Sequence, residues 1–469
     1  MKHTIGVCGS CNLSEFSLSN NFADNTLDFV PSGSPVTKVR DLIRTAACNK
    51  RHDQMGFHGG SRRSLELCIL CHRSQTPNAA TLNTVHFGAN LPSVKAGKPY
   101  KIGNTDYSTV VCPSPAMDCK VCHEPKEIAG ATRDTKWKTG PNRIACGACH
   151  DEANFNTGEN HAGQPQPSDN PCETCHQPKG NFDFDTSITG AHMIPVELSL
   201  LAGVVFEITG ASNVGVGTNP VVTFTVGDNN VRLYMGGLTG DIAGYVREDV
   251  LKAEGPGDGR NFWTFASAIP ATATGTWQFG IEGYRTTIVL VGPQKERTIR
   301  HYGINKMFYA GLDGTKAAPR RVVASTAISN KCHYSLEFHG GDRNTVEQCS
   351  ICHNTSLTRK VNGKDESLNL VNMIHRSHSA IICHPGILSD CNQCHVNNSQ
   401  NPRLKAKLSV TDGSAPYTLA PPTTNACLSC HNTNAAWSHV LANTTIPSES
   451  CTIWHSNTSE FSVGKVHAQ

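Results

Sequence analysis

The sequence predicts a multidomain chain in which two modules of short helices and long loops flank an all-β sandwich or barrel. Three observations carry this. A Cys-x-x-Cys-His motif occurs seven times. The chain also aligns with itself, the segment 48–72 (CNKRHDQMGFHGGSRRSLELCILCH) matching 329–353 (SNKCHYSLEFHGGDRNTVEQCSICH) at the same spacing, which is the signature of an internal duplication. Between the two halves, residues 196–300 hold neither Cys nor His and read as short alternating β runs. The expected units are 1–45 (a remnant of a β domain, or a linker), an N-terminal module at 46–195, a β domain at 196–300 and a C-terminal module at 301–469.

Cys-x-x-Cys-His is the covalent attachment signature of c-type haem. Two thiols add to the porphyrin vinyl groups, and the adjacent His becomes an axial iron ligand. The intact motifs are Cys68, Cys71 and His72; Cys119, Cys122 and His123; Cys146, Cys149 and His150; Cys172, Cys175 and His176; Cys349, Cys352 and His353; Cys391, Cys394 and His395; and Cys427, Cys430 and His431. Zinc sites and redox Cys-x-x-Cys pairs do not need His directly after the second Cys. With 22 His in 469 residues, seven such adjacencies by chance have odds on the order of 10⁻⁹.

Aligning the halves raises the count of positions from seven to ten, five per module. Three are damaged. Cys48 and His52 enclose Arg51 where a second Cys belongs. Cys332 and His333 follow Ser329 where the first belongs. Cys451 and His455 enclose Trp454. The expected cofactor is therefore haem c, seven copies by intact motif and up to ten by position.

Six-coordinate iron needs a second His per haem. His58 and His339 sit in matching Phe-His-Gly-Gly runs, where glycine lets the backbone approach a porphyrin face. His86 matches His378, His161 matches His439, and His192 matches His467. His375 lies three residues before His378, on the same face of a helix, so the two can serve neighbouring haems. Its counterpart in the first half is Asn83, and one N-terminal haem is expected to lack its distal His. His3, His301 and His384 have no counterpart and read as surface residues. Sequence alone does not say which distal His serves which motif.

Other features bound the class. The formal charge of +3 turns acidic once each bis-His haem adds about −1 through its propionates, and no basic stripe points to nucleic acid. Haem attachment of this kind belongs outside the bacterial inner membrane. Residues 1–30 nevertheless show no basic segment followed by an apolar one, so the export signal is expected upstream or already removed. Cys112 and Cys383 read as small buried residues or free thiols. Cys8 and Cys11 lack a following His and read as a local disulfide or unmodified thiols rather than an eleventh site. In the middle segment, 204–208, 221–226 and 276–281 alternate like strands, and no catalytic constellation accompanies them. Its expected role is to hold the two modules apart at a fixed geometry.

Two five-haem modules around a β domain, with DFVPSGSPVTKVRD (28–41), FHGGSRR (57–63), HFGANLPSVKAG (86–97) and FSVGKVHA (461–468), resemble the outer-membrane decahaem c-type cytochromes of extracellular electron transfer, the OmcA/MtrC type. The resemblance covers the chain from about residue 25 onward. It implies a continuous haem relay at the outer-membrane surface or in the periplasm. The implied donors are a porin-cytochrome conduit or periplasmic cytochromes, and the implied acceptors are extracellular metal oxides, electrodes or flavins. It implies no catalytic residue: reduction of an oxide or flavin is outer-sphere. Two rivals stand beside it. One is a periplasmic multihaem reductase with an open haem, and the other is a degenerate, partly loaded copy.

Overall fold

In the central domain two antiparallel sheets share one apolar core. The computed structural model describes residues 1–469 except 17, 38, 41–42, 53, 74–80, 113–114, 116–117, 124–130, 133–135, 162–163, 199–200, 202, 227–229, 238, 240–241, 251–254, 256–258, 381–389, 398, 400–408, 411–418, 421, 432, 446–447 and 468–469. The larger sheet runs Gly244–Val250, Asn230–Gly237, Thr276–Gly292 and Lys295–Tyr302, with Lys306–Gly311 also paired to Thr276–Gly292. The smaller sheet runs Arg260–Thr264, Val221–Thr225 and Glu207–Ser212. Phe206, Val222, Phe224, Leu233, Met235, Phe265, Phe279 and Ile281 fill the space between them. Among the described residues no sheet closes on itself, so the barrel alternative is not what forms.

Three details depart from the sequence reading. Val204 and Phe206 are buried, but the strand begins only at Glu207. The larger sheet runs on to Gly311, past the expected limit at 300. Most informative is Thr276–Gly292, whose first eight residues are all buried rather than alternating. One face carries Phe279 and Ile281 into the core. The other lies against the C-terminal module: a Cβ on Gly280 would collide with Gln348 and Ile351 of the helix Val346–Cys352. Glycine at 280 thus lets a helix bearing Cys349 and Cys352 sit directly on the sheet.

The sheet and that module are joined by polar contacts that are nearly dry. Asn344 N–H donates to Asn305 Oδ1 at 2.8 Å, and Asn305 N–H donates back to Asn344 Oδ1 at 2.9 Å. Glu282, fully buried, accepts from Arg343 Nε at 3.0 Å, Arg232 at 3.2 Å and the Tyr234 hydroxyl at 2.7 Å. On the other side, Leu198, Leu201, Val289 and Ile299 pack with Phe184 and Met193 at the end of the N-terminal module. The β domain therefore touches both modules.

Residues 1–45 include a regular antiparallel hairpin, His3–Leu13 with Leu18–Phe29. It grips the first module much as the β domain grips the second. Asp24 Oδ2 accepts from the amides of Arg63 and Ser64 at 2.8 and 2.9 Å, the counterpart of Asn305 accepting from Asn344. Phe22 covers Gly60 where Tyr302 covers Gly341. Cys8 and Cys11 are three apart on one strand and so face opposite ways. No disulfide forms among the described cysteines, and the local-bridge alternative falls.

Gly60 and Gly341 sit at φ +94° and +100°, with the ring of Phe22 or Tyr302 where a Cβ would be. Gly341→Ala therefore adds left-handed strain to a steric clash. It should cost at least about 2 kcal/mol, read as a lower Tm by calorimetry, while Gly340→Ala, with open space at its Cβ, should cost less.

Candidate haem-binding sites

Each intact Cys-x-x-Cys-His forms a single helical turn. In all seven, the His amide donates to the carbonyl of the first Cys at 2.8–2.9 Å: His72 to Cys68, His123 to Cys119, His150 to Cys146, His176 to Cys172, His353 to Cys349, His395 to Cys391 and His431 to Cys427. Local caps start these turns. Asp118 accepts from Lys120 N–H and Asp390 from Asn392 N–H, both at 3.1 Å, immediately before the third motif of each half. Asn142 and Thr345 cap the turns that carry Cys146 and Cys349. One turn places both thiols and the imidazole on a common side. The damaged positions keep the helix: Thr45–His52, Thr326–His333 and Cys451–His455.

The tertiary fold then brings imidazoles together in pairs. In the first half these are His52 with His86, His58 with His72, His150 with His192, and His161 with His176, at ring-centroid distances of 5.9, 6.3, 6.4 and 6.2 Å. In the second half, His333 pairs with His378 and His339 with His353, at 6.1 and 6.0 Å. There too His375 pairs with His395, His431 with His467, and His439 with His455, at 5.9, 5.9 and 6.0 Å. The two halves use the same pairing. A metal–imidazole bond is ~2 Å, so two rings coordinating one ion from opposite sides have centroids roughly 6 Å apart. Among the described residues no group of three His, Cys, Asp or Glu could hold a bare metal ion. The arrangement suits iron whose other four ligands come from a porphyrin.

The rings are also in the correct tautomer. Nδ1 of His86, His192, His375, His378 and His467 lies 2.7–2.9 Å from the carbonyl oxygen one turn back: Leu82, Ile188, Val371, Ile374 and Val463. A carbonyl only accepts, so the proton is on Nδ1 and the Nε2 lone pair points out to bind metal. His353 and His455 on the motif side do the same toward Leu368 and Phe461, at 2.9 and 2.8 Å. Burial, reinforced by His375, pushes the His395 imidazole down to about 4, so it stays neutral and able to ligate. These Nδ1 bonds are invisible in the sequence except as helical spacing.

Burial pushes the Cys48, Cys119, Cys149 and Cys349 thiols up to about 11 and Cys427 up to about 12. A redox dithiol needs the opposite, a depressed thiol pKa. Thiols of different positions also lie near enough to act on one another electrostatically. Cys48 feels Cys122 and Cys68, Cys119 feels Cys149, and Cys146 feels Cys172. In the second half Cys394 feels Cys332, Cys391 feels Cys430, and Cys427 feels Cys451. The helices Thr45–His52 and Thr326–His333 touch one another, so the first positions of the two modules meet. A cavity of about 710 Å³ beside the fourth motif, lined in part by Arg143, Ile144, Asp151 and Phe155, is within the range of cofactor-sized sites.

His123 faces a different ring. Among the described residues the ring beside it is the indole of Trp137, 6.4 Å away with the planes at 43°. Asn83, exposed on the helix Thr81–Phe87 three residues before His86, stands where His375 stands in the second half. Asn83 marks this difference between the halves in the sequence, but nothing there pointed to Trp137. Of the unmatched histidines, His3 is exposed and His384 lies outside the described residues, as does Cys383. His301 corrects the surface expectation: it is 5% exposed, turned inward from Lys295–Tyr302, and accepts from Arg285 Nε at 2.9 Å. Cys112 is half-buried.

Turn-borne Cys-x-x-Cys-His motifs with imidazoles paired at an iron-spanning distance define a multihaem c-type cytochrome. The chain belongs to the outer membrane cytochrome MtrC/MtrF-like family: the model of that family's domains II/IV matches residues 40–187 and again 320–468. It is similar to the multiheme cytochrome MtrC of Shewanella baltica, 23% identical over 470 residues, which cover 88% of this chain and 66% of that protein. The chain thus spans just under two thirds of that relative's length. The crystal structure of MtrC from the same organism superposes with a TM-score of 0.67 at 16% identity, covering 93% of this chain and 78% of that one.

Proposed function

We propose that this chain relays electrons between a donor at the cell envelope and acceptors outside it. The donor would be an outer-membrane porin-cytochrome conduit or periplasmic cytochromes; the acceptors would be metal oxides, electrodes or flavins. The observation that carries the reading is the pairing of imidazoles, repeated in both halves at positions that adjoin one another. Haem c at these positions supplies a one-electron couple at each. The Cys pairs would tether it, the paired His would hold its iron at nine positions, and the β domain and hairpin hold the modules in register. Paired imidazoles at nine of the ten positions would leave no iron place free there for a substrate, which suits a relay better than a reductase.

The adjoining motifs order the path. From the fifth position of the first module it runs through the fourth and third to the first, crosses where Thr45–His52 meets Thr326–His333, and repeats in reverse order in the second. The second position, at Cys68, branches beside the first. No acid, base or nucleophile is asked of the protein.

The test is a holoprotein matured in a periplasm. Intact mass should show at least seven covalent haems, with ten if Cys48, Cys332 and Cys451 each hold one by a single thioether. Fewer than seven would sink the reading. Stopped-flow oxidation of the reduced protein by a flavin or a ferric oxide should drain all haems together. Oxidation confined to one module's share would overturn the relay.

A further inference from the structure

We infer that Glu197 is a positioning residue for the electron-transfer step between the modules: its one carboxylate clamps Lys120 of the first module to Tyr334 of the second, and so fixes the separation that electrons must cross. The inference rests on the relay reading above. It goes beyond that reading by naming the side chains that set one step of the path.

The two oxygens of Glu197 take different partners. Oε2 accepts from Lys120 Nζ and Oε1 from the Tyr334 hydroxyl, 77 and 137 residues away along the chain. Lys120 lies inside the motif Cys119–His123, and Tyr334 directly follows His333. Glu197 itself ends the one-turn helix Pro195–Glu197, which comes shortly after His192. Lys120 is held at both ends, since its amide also donates to Asp118 Oδ1 at 3.1 Å. Tyr334 stands at φ +62°, a backbone that a bulky side chain adopts only where its surroundings impose it. Its amide donates to Asn330 O at 3.0 Å and closes the helix Thr326–His333, while its far end is fixed by Glu197. That helix is the one that touches Thr45–His52, so the clamp sits beside the crossing between modules.

The duplication marks this contact as specific to the junction. Position for position, Lys120 corresponds to Asn392 and Tyr334 to Asp53. Neither copy can make the same contact: the Asn392 side chain is short and uncharged, and an ionised Asp53 has no proton to donate. The modules thus differ at the two residues that meet where one module borders the other, a boundary the duplication does not repeat. Burial alone would raise the Glu197 carboxyl, but the hydrogen bonds from Lys120 and Tyr334 hold it below the usual carboxylate range, so it is ionised with both partners in place. The Lys120 and Glu197 side chains are 47% and 24% exposed, and ion pairs so exposed add little to global stability. The effect of the clamp is on distance. Transfer between redox centres falls steeply as they separate, and a carboxylate bound at both oxygens leaves the two positions little freedom to part.

The experiment tethers fully matured holoprotein to gold through the exposed thiol of Cys11, on the hairpin that packs against the first module, with Cys8, Cys112 and Cys383 replaced by Ser. Voltammetry reads the charge passed per chain as the scan rate rises. Electrons from this side reach the second module by crossing the junction, so a slower crossing removes that module's share of the charge at a lower scan rate. E197A should lose that share early, with the covalent haem count and Tm nearly unchanged. K120M and Y334F should each lower the limiting scan rate as far as E197A does, and K120M/Y334F no further, because a clamp missing one jaw holds nothing. Should E197A lose haem, K120M and Y334F decide, since both keep Glu197. A limiting scan rate equal to the parent's in K120M and Y334F overturns this inference and leaves the relay standing, and so do single effects that add in the double variant. A parent that passes only the first module's share at the slowest scan overturns the relay, and the inference with it.

Discussion

Arg343→Met is expected to destabilise the chain by about 3 kcal/mol, because removing one partner of a buried ion pair strands the other charge. Glu282 is fully buried between Arg343, Arg232 and Tyr234. Without Arg343 its carboxylate keeps Arg232 at 3.2 Å and the tyrosine hydroxyl at 2.7 Å, which is why the low end of the usual ~3–5 kcal/mol range applies. The double variant R343M/E282Q removes both charges and should recover much of the loss, giving a coupling well above the ~0.5 kcal/mol of independent sites. Calorimetry or guanidinium unfolding of the holoprotein reads both. Equal destabilisation by the single and double variants would show that the pair contributes shape rather than charge. Arg343 follows directly on the Phe-His-Gly-Gly-Asp run that carries His339, so the same contact that docks the β domain also braces a distal-ligand loop.

That coupling shows where the sequence is legible and where it is not. The attachment positions are local: a motif of five residues makes one turn, and its damage can be read by laying one half on the other. The partner of each motif histidine is not local. His58 pairs with the motif after it, His161 reaches forward to His176, and His192 reaches back past His176 to His150. No spacing rule covers all three, since the pairing is made by loops folding around a shared centre. The β domain divides in the same way. Its strand runs show as alternation, but the burial of both faces of Thr276–Gly292 comes from a neighbour far along the chain. Arg343 and Glu282 are 61 residues apart, and a lone Glu in a strand gives no sign of being an interdomain anchor. Trp137 is the extreme case: the difference at Asn83 could be found by alignment, but the indole beside His123 is purely tertiary.

His375→Ala should change the spin state of one haem without changing the number attached. The helix Leu370–Ala380 serves two positions at once, presenting His375 to His395 and His378 to His333. Both rings are locked by carbonyls one turn back, so removing His375 empties one axial place and leaves the second ring held. Attachment depends on Cys391, Cys394 and His395, which the substitution does not touch, so intact mass should equal the parent plus the substitution difference. The low-temperature spin-resonance spectrum should gain high-spin intensity equal to one haem. Carbon monoxide uptake should rise by one per chain. His378→Ala should give the same increment at the His333 position, where only Cys332 remains as a tether, and there some loss of covalent haem should accompany it. The contrast between the two variants separates ligation from attachment. If H375A lost haem as readily as H378A, the distal imidazole would be needed for maturation. If it gained no high-spin signal, the pairing of His375 with His395 would not be the ligand pair that their 5.9 Å separation indicates.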